Sequence, residues 1–540
     1  MLAGGGLIVG VGDVGRSTLD DSRELPSASP RVPVLMGRCE SLVFRSCTRM
    51  FEQEPGLVRL PFRFRPFSSQ RGMETLFMNF KFGWNRRSFL SALGLAAGSF
   101  VSPAESSAAG LHGKKHKPAM SGRDGNPIVP ITSGLGSTGD IYAELGVTPL
   151  VNINGTVTVI GGSVMKPEVM ELIRRGNEHF VLIDELEIAA GKFIAKLCKS
   201  PAGYTGLVTG GAAAAMVVGY AGMMTEDLEP RMRDIPDVSN FPRNEVIIQK
   251  SHRYAFDHQI RQTGAKLIEV ETREQMIAAI NPKTVAIHFT NILSDRGQIS
   301  GAETVEIAKA HNLYTFNDAS ADVPPKERLW EYPAMGFDMV TFSGGKDICG
   351  PQASGVLIGK EDLIHYALLN MSPQEDRIGR CCKVGKETIF GLLKALELFV
   401  NQDFQTTLNL YDERAKVITE AVQKFGVTAL PREFNPKALG NVTPRYSWKI
   451  DPAKLHITGP EVMQKLADTR PIGIGSMGAG ASGMRGRDPD APAEVHRGGE
   501  RRSHGGDPNT FGFTLWQVKD GEDKLIADRL TEIFEAAART

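Results

Sequence analysis

The chain has 540 residues, enough for a large core and roughly three domain-sized units. Its 62 basic and 62 acidic residues cancel, so no global field draws it to nucleic acid or to an anionic membrane. Six cysteines are too few for a disulfide framework, and neighbouring Cys381 and Cys382 do not converge easily on one ion, so no metal site is expected.

Residues 1–77 carry Pro, Ser, Gly and scattered Arg without a sustained period, and are expected to be disordered or a non-native extension. GVGDVG, from Gly10 to Gly15, matches the G-x-G-x-x-G spacing of a dinucleotide turn. The RSTLDDSREL that follows supplies no apolar helix, so no such site is expected there. Met73 and Met78 are alternative starts. Residues 78–109 place Arg86 and Arg87 ahead of the short apolar run SALGLAAGSFV and then small polar residues, the layout of a twin-arginine signal peptide. The run is shorter than the ~20 residues a stable membrane span needs, so no stable anchor is expected. Export to the periplasm follows if the signal works, and a cytoplasmic location if it does not. Residues 110–138 form a Gly/Ser/Lys linker.

Residues 139–405 read as a large α/β domain and 406–540 as a smaller one. A strand is expected over 147–153, then helices over 166–179 and 184–199, the second with Leu186, Ala190, Phe193, Ile194 and Leu197 on one face. The strand 204–208 runs through Thr209-Gly210-Gly211 into an Ala-rich helix, 212–224. Strands and helices then alternate: strands over 245–249, 266–270, 284–289 and 313–317, and helices over 254–264, 273–280 and 302–311. This alternation predicts a mostly parallel sheet covered by helices on both faces. Further strands are expected over 339–342 and 354–358, and helices over 363–369 and 387–399. The last part holds helices over 411–425 and 522–538 and strands near 446–450 and 511–517. Its Gly-, Arg- and Pro-rich stretch 471–510 is too long for an ordinary loop, and its role is open.

In such sheets ligands sit beyond the carboxyl ends of the strands, where Thr209, His252, Asn291, Asp318 and Lys346 all fall. Lys346 lies in a Gly-rich loop between two core strands, where desolvation lowers an ammonium's pKa and suits imine chemistry with an aldehyde. The Thr209-Gly210-Gly211 helix start offers free N–H groups and a dipole to a phosphate. Asp318 closes a strand, Ser343 offers a hydroxyl three residues before the lysine, and a flat His252 ring is placed to stack on a pyridine. Pyridoxal 5'-phosphate needs these parts: a lysine, a carboxylate for the ring nitrogen and an anion cradle. Ser343 to Lys346 also matches the S-x-x-K of penicillin-recognising enzymes, but the Ser-Asp-Asn and Lys-Thr-Gly tripeptides they need are absent.

IYAELGVTPLVNINGT, TGGAAAAM, FNDASA, FDMVTFSGGKDICGPQASGVLIG and KVGKETIFGLLKALE together resemble the selenocysteine-synthase-like family of fold-type-I pyridoxal phosphate enzymes, from about Ile141 onward. That family includes seryl-tRNA(Sec) selenium transferase and the D-glucosaminate-6-phosphate ammonia-lyase group. The resemblance implies a fold-type-I transferase fold, with Lys346 as Schiff-base lysine and Asp318 as partner of the ring nitrogen. Gly210, Gly211 and Ser343 become phosphate neighbours, and Arg380 and Lys386 bind a substrate carboxylate or phosphate. It also implies a homodimer or higher homo-oligomer. An export signal in place of the selenium transferase's N-terminal helical domain favours a lyase acting by α,β-elimination on a small amino acid or amino-sugar acid. Selenium or sulfur transfer, and a non-catalytic amino-acid binder of the same fold, are the alternatives.

Overall fold

The computed structural model of the chain describes residues 135–470, 472–475 and 507–539; the signal, the linker up to residue 134 and most of 471–510 lie outside these. A short strand, β1 (Leu150–Asn152), begins the sheet-forming sequence. The runs β2 (Tyr204–Thr209), β3 (Glu245–Gln249), β4 (Lys266–Val270), β5 (Thr284–Thr290), β6 (Tyr314–Asp318), β7 (Met339–Ser343) and β8 (Gly355–Lys360) then form one seven-stranded sheet in the order β2-β8-β7-β6-β5-β3-β4. From β7 to β4 every neighbouring pair is parallel. β8 runs antiparallel to both β2 and β7. A fold-type-I α/β architecture is thus present, with one reversed strand inside a mostly parallel sheet.

Alternation along the strands gives the sheet two buried faces. Ile247 and Ile287 cluster with Ile307 and Ala308 of the helix Gly301–Ala310. Their neighbours Val246 and Ala286 join the main core instead, with the helix that follows β2. The helices bearing on the site are α1 (Pro167–Gly176), α2 (Ile183–Leu197), α3 (Ala212–Thr225) and α4 (Lys386–Asn401). α3 is apolar on every side and buried along nearly its whole length, as expected of a helix inside a large core. The single helix expected over 254–264 is divided at Asp257 into a 3-10 turn, Ala255–Asp257, and a short helix, His258–Gln262. The Asp257 carboxylate takes hydrogen bonds from the Tyr254 N–H and the Arg253 guanidinium, which hold the turn in its own conformation.

A second core gathers around β9 (Val427–Ala429), β10 (Tyr446–Ile450) and β12 (Thr510–Phe513), an antiparallel group in the order β12-β10-β9. Trp448, Phe511 and Phe513 stack there against α5 (Phe404–Val422) and α6 (Glu522–Ala537). β1 pairs in parallel with β11 (Gly473–Gly475), so Val151 and Ile153 belong to this second core rather than to that of the large sheet.

The outer edge of the large sheet carries an unusual cap. On β2, the Val208 N–H donates to the Glu187 carboxylate of α2 at 3.1 Å. Glu187 is fully buried, and its other oxygen has no partner among the described residues. Burial pushes its carboxyl up to about 8 against the pull of that one bond. The folded chain therefore prefers the protonated form. The stability this preference provides is complete below the ordinary carboxylate range and is lost as pH rises through 8. Thermal unfolding midpoints of the wild type should fall by several degrees between pH 5 and pH 8.5 through this group, at roughly 2–4 °C per kcal/mol for a domain of ordinary size. Glu187→Gln should flatten that part of the fall. An unchanged slope in the variant would show that Glu187 does not drive it.

Candidate active site

The register of β8 brings the parts of the site together. Gly355 pairs with Ser343 at the end of β7 and with Thr209 at the end of β2. The loop bearing Lys346 and the turn before α3 therefore start from either side of one residue. The fit leaves no room for a side chain: a Cβ on Gly355 would lie 2.5 Å from the Gly211 carbonyl carbon and 2.7 Å from the Thr209 hydroxyl oxygen.

Thr209 is buried, and its hydroxyl lies within hydrogen-bond distance of the carbonyls of Gly211 at 3.0 Å and Gly355 at 3.2 Å. It therefore shapes the turn. Gly211 caps α3 at φ +128°, a conformation open to glycine, and a Cβ there would meet nothing within 4 Å. The first backbone bond of the helix runs from the Ala215 N–H to the Gly211 carbonyl. The preceding N–H groups have no backbone acceptor among the described residues and can hold an anion. Across from Gly210 lies the Cys382 carbonyl, 3.2 Å from where a Cβ would stand.

Asp318 is buried at the end of β6. One carboxylate oxygen accepts the Ser320 N–H at 2.9 Å and the other accepts the Tyr254 hydroxyl. Burial and the Asp318 charge raise the Tyr254 phenol well above its ordinary value, so it remains a donor and keeps the carboxylate aimed. Tyr254 was not singled out from sequence. Its signal was an aromatic residue in the same post-strand loop as His252. Tyr254 lies against His288 with ring planes 21° apart, and the Tyr220 hydroxyl is 2.8 Å from His288 Nδ1. Burial lowers His288 to about 4, so this ring is neutral at physiological pH.

His252 is fully buried. Its Nδ1 accepts the Thr290 N–H at 3.3 Å, and its ring meets Phe289 edge-on at 4.8 Å. No face of that ring is open to a ligand in this conformation. The aromatic side chain that reaches Asp318 is Tyr254. Asn291, just past β5, donates to the Tyr332 hydroxyl at 2.8 Å.

Lys346 is half-buried in a laced loop. The Gly344 N–H donates to the Ser354 carbonyl, the Gly350 N–H to the Gly344 carbonyl and the Cys349 N–H to the Lys346 carbonyl. The Ser163 hydroxyl donates to the Gly345 carbonyl at 3.0 Å. The lysine amino group has no hydrogen-bond partner among the described residues. Burial lowers its pKa, opposed by the charges of Asp318, Asp322 and Asp347. Asp322 and Asp347 escaped the sequence reading, and both tie this region to the 438–442 loop. Asp322 accepts the Gly440 N–H at 3.2 Å, and Asp347 accepts the Asn441 amide at 2.6 Å. Burial pushes Asp322 up to about 6 and Asp347 well above its ordinary value.

Ser343 ends β7 half-buried, with its N–H donating to the Ser320 carbonyl at 3.3 Å. Arg380 is exposed in the segment that crosses Gly210. Lys386 donates to the His179 carbonyl at 2.6 Å and sits 5.5 Å from the Phe180 ring, so it is committed to the end of α1. An unpaired amino group near a buried, aimed carboxylate, with an open N–H cradle on the adjoining strand, fits pyridoxal 5'-phosphate.

Comparison with known proteins agrees. Residues 255–373 match the aminotransferase class-V family. The D-glucosaminate-6-phosphate ammonia lyase of Salmonella typhimurium is 28% identical over 412 residues, covering 74% of this chain and all of that enzyme. The L-seryl-tRNA(Sec) selenium transferase of Mannheimia succiniciproducens is 30% identical over 191 residues, covering 32% of this chain and 37% of that enzyme. A solved structure of D-glucosaminate-6-phosphate ammonia-lyase superposes with a TM-score of 0.61 at 26% identity, over 74% of this chain and 99% of that one. The chain is a fold-type-I enzyme dependent on pyridoxal 5'-phosphate, a lyase or transferase related to both of these groups.

Proposed function

We propose that the enzyme is an ammonia lyase that eliminates across Cα and Cβ of a small amino-sugar acid or amino acid. The observation that carries this reading is coverage. The alignment with the ammonia lyase takes in all of that enzyme, whereas the selenium transferase is matched over 37% of its length. When bound, the cofactor supplies an aldehyde carbon for the substrate amine and a ring that stores the electron pair left at Cα. Lys346, its pKa lowered by burial, takes the α-proton. Asp318, aimed by Tyr254 and Ser320, would hold the ring nitrogen. The N–H groups at the start of α3 would hold the phosphate. Arg380 meets the acid group of the substrate.

Exposed Met170, Phe180, Val181, Leu182, Ile188 and Phe193, on and between α1 and α2, support association with a second copy of the chain. Export by the twin-arginine route completes the reading. No helix among the described residues is long and apolar enough to cross a membrane.

Borohydride reduction of the cofactor-loaded chain should fix the cofactor covalently to the peptide containing Lys346. Lys346→Ala should remove that link and lower ammonia release from phosphorylated amino-sugar acids by about 10²–10⁴-fold, the usual worth of a positioned proton-transfer group. Labelling of a different lysine would overturn the assignment. A binder without turnover would keep the covalent link yet release no ammonia from any amino-sugar acid or amino acid. For export, residues 78–115 fused to a reporter should deliver it to the periplasm, and changing Arg86 and Arg87 to Lys should retain it in the cytoplasm. Delivery that ignores the pair would refute the twin-arginine route.

A further inference from the structure

The segment that crosses the phosphate cradle carries two adjacent thiols. Cys381 is exposed and Cys382 half-buried, both are free, and their sulfurs lie 3.8 Å apart. The turn holding them is anchored from below. The Cys382 N–H donates to the Gly379 carbonyl at 3.0 Å and the Gly379 N–H to the Asn370 carbonyl at 3.0 Å. Gly379 is packed so closely that a Cβ would stand 2.5 Å from both the Asn370 carbonyl oxygen and a Val218 methyl carbon on α3. Above the turn, the Cys382 carbonyl faces Gly210 at the mouth of the cradle. Neither thiol takes part in the chemistry proposed for Lys346 and Asp318.

We propose that Cys381 and Cys382 form a reversible disulfide site whose closure by small-molecule disulfides loosens the grip of the cradle on the cofactor phosphate. This rests on the cofactor site described above. In the first step the Cys381 thiolate attacks one sulfur of the reagent, making a mixed disulfide and releasing one thiolate. The Cys382 sulfur, having lost its proton to solvent, then attacks Cys381 Sγ and releases the second thiolate. Two protein S–H bonds and one reagent S–S bond become one protein S–S bond and two reagent S–H bonds. The reagent takes up the two electrons.

Geometry supplies the consequence. Adjacent Cα atoms across a trans peptide are about 3.8 Å apart, whereas disulfide-bonded residues usually hold theirs roughly 4.4–6.8 Å apart. Closing the ring must therefore distort the 381–382 peptide. Its N–H is the one bonded to Gly379, and the next carbonyl along is the one against Gly210. With Gly379 unable to give way, the displacement goes towards the cradle. The same strain makes the bond easy to reduce, as a reversible modification requires. Burial, with the adjacent Cys381, raises the Cys382 thiol to about 11, so the second step is slow at neutral pH and quickens as pH rises.

The test incubates the reduced full-length chain with oxidised glutathione at neutral and mildly alkaline pH. It follows intact mass, maps the linked peptide and titrates pyridoxal 5'-phosphate by absorbance. The expected product has lost two hydrogens at a 381–382 link, faster at the higher pH. Its cofactor affinity should be weaker by about tenfold, the worth of one hydrogen bond to a charged group, and dithiothreitol should restore it. Cys381→Ser should bind the cofactor as the reduced wild type does and ignore the oxidant. A stable mixed disulfide without closure, or a link to Cys349 or another cysteine, would overturn the proposal. So would an oxidised chain with unchanged affinity, or a Cys381→Ser chain that weakens to the same extent. Failure of the reduced chain to bind the cofactor at all would instead count against the cofactor site, while the mass measurement still decides whether the link forms.

Discussion

The site depends on the pairing of β8 with two strands at once. β7 and β2 both run towards the same edge of the sheet, and β8 returns between them, starting at Gly355. Because Gly355 faces both Ser343 and Thr209, the lysine loop and the phosphate turn cannot drift apart without breaking a ladder on one side. A side chain at Gly355 would strike the turn itself. The loop between β7 and β8 has only residues 344–354 in which to leave the sheet and come back. Its own backbone bonds lace the loop on either side of Lys346. Lysine, carboxylate and cradle thus share one frame of hydrogen-bonded backbone, the rigid support that covalent and proton-transfer chemistry needs.

Within that frame, burial and charge act on Lys346 in opposite directions. Desolvation favours its neutral form, while Asp318, Asp322 and Asp347 favour the ammonium. Two of these carboxyls, Asp322 and Asp347, are themselves pushed upward by burial, so their hold on the lysine weakens as they take protons. Asp318 differs in having its two oxygens engaged by Ser320 and Tyr254. Those two donors fix the direction of its carboxylate at the end of β6. The neutral His288 and the phenols of Tyr220 and Tyr254, both raised well above their ordinary values, lie around it.

Much of this was legible in the sequence because strand ends are legible. β3 and β10 have the bounds expected from their apolar runs, and Thr209, Asp318 and Lys346 were placed at or just past strand ends by the same pattern. Strand direction is different. An apolar run of β-branched residues reads the same whichever way it pairs, so the reversal of β8 was not visible. The helix Arg328–Met335 was hidden by Pro333 inside it, which normally argues against a helix. His252 was expected to stack on a ligand because its flat ring follows a strand. Thr290 and Gln249 instead satisfy it within the core. Tyr254, Asp322 and Asp347 lie in loops, where no period marks which side chains turn inward.

The C-terminal part enters the site through these same loop carboxylates. Arg328, buried, donates to the Gly440 carbonyl at 2.7 Å, and the Val442 N–H donates to the Pro324 carbonyl at 3.0 Å. With the bonds to Asp322 and Asp347, residues 438–442 are held to both flanks of Lys346. From the other end of the chain, β1 is built into the second core, and the turn after it reaches the lysine loop through Ser163 and through Gln352, whose amide donates to the Thr158 carbonyl. A movement of the second core would thus pull on the Lys346 loop from two directions, once through β1 and once through 438–442. This double attachment gives the second core a mechanical hold on the loop that carries Lys346.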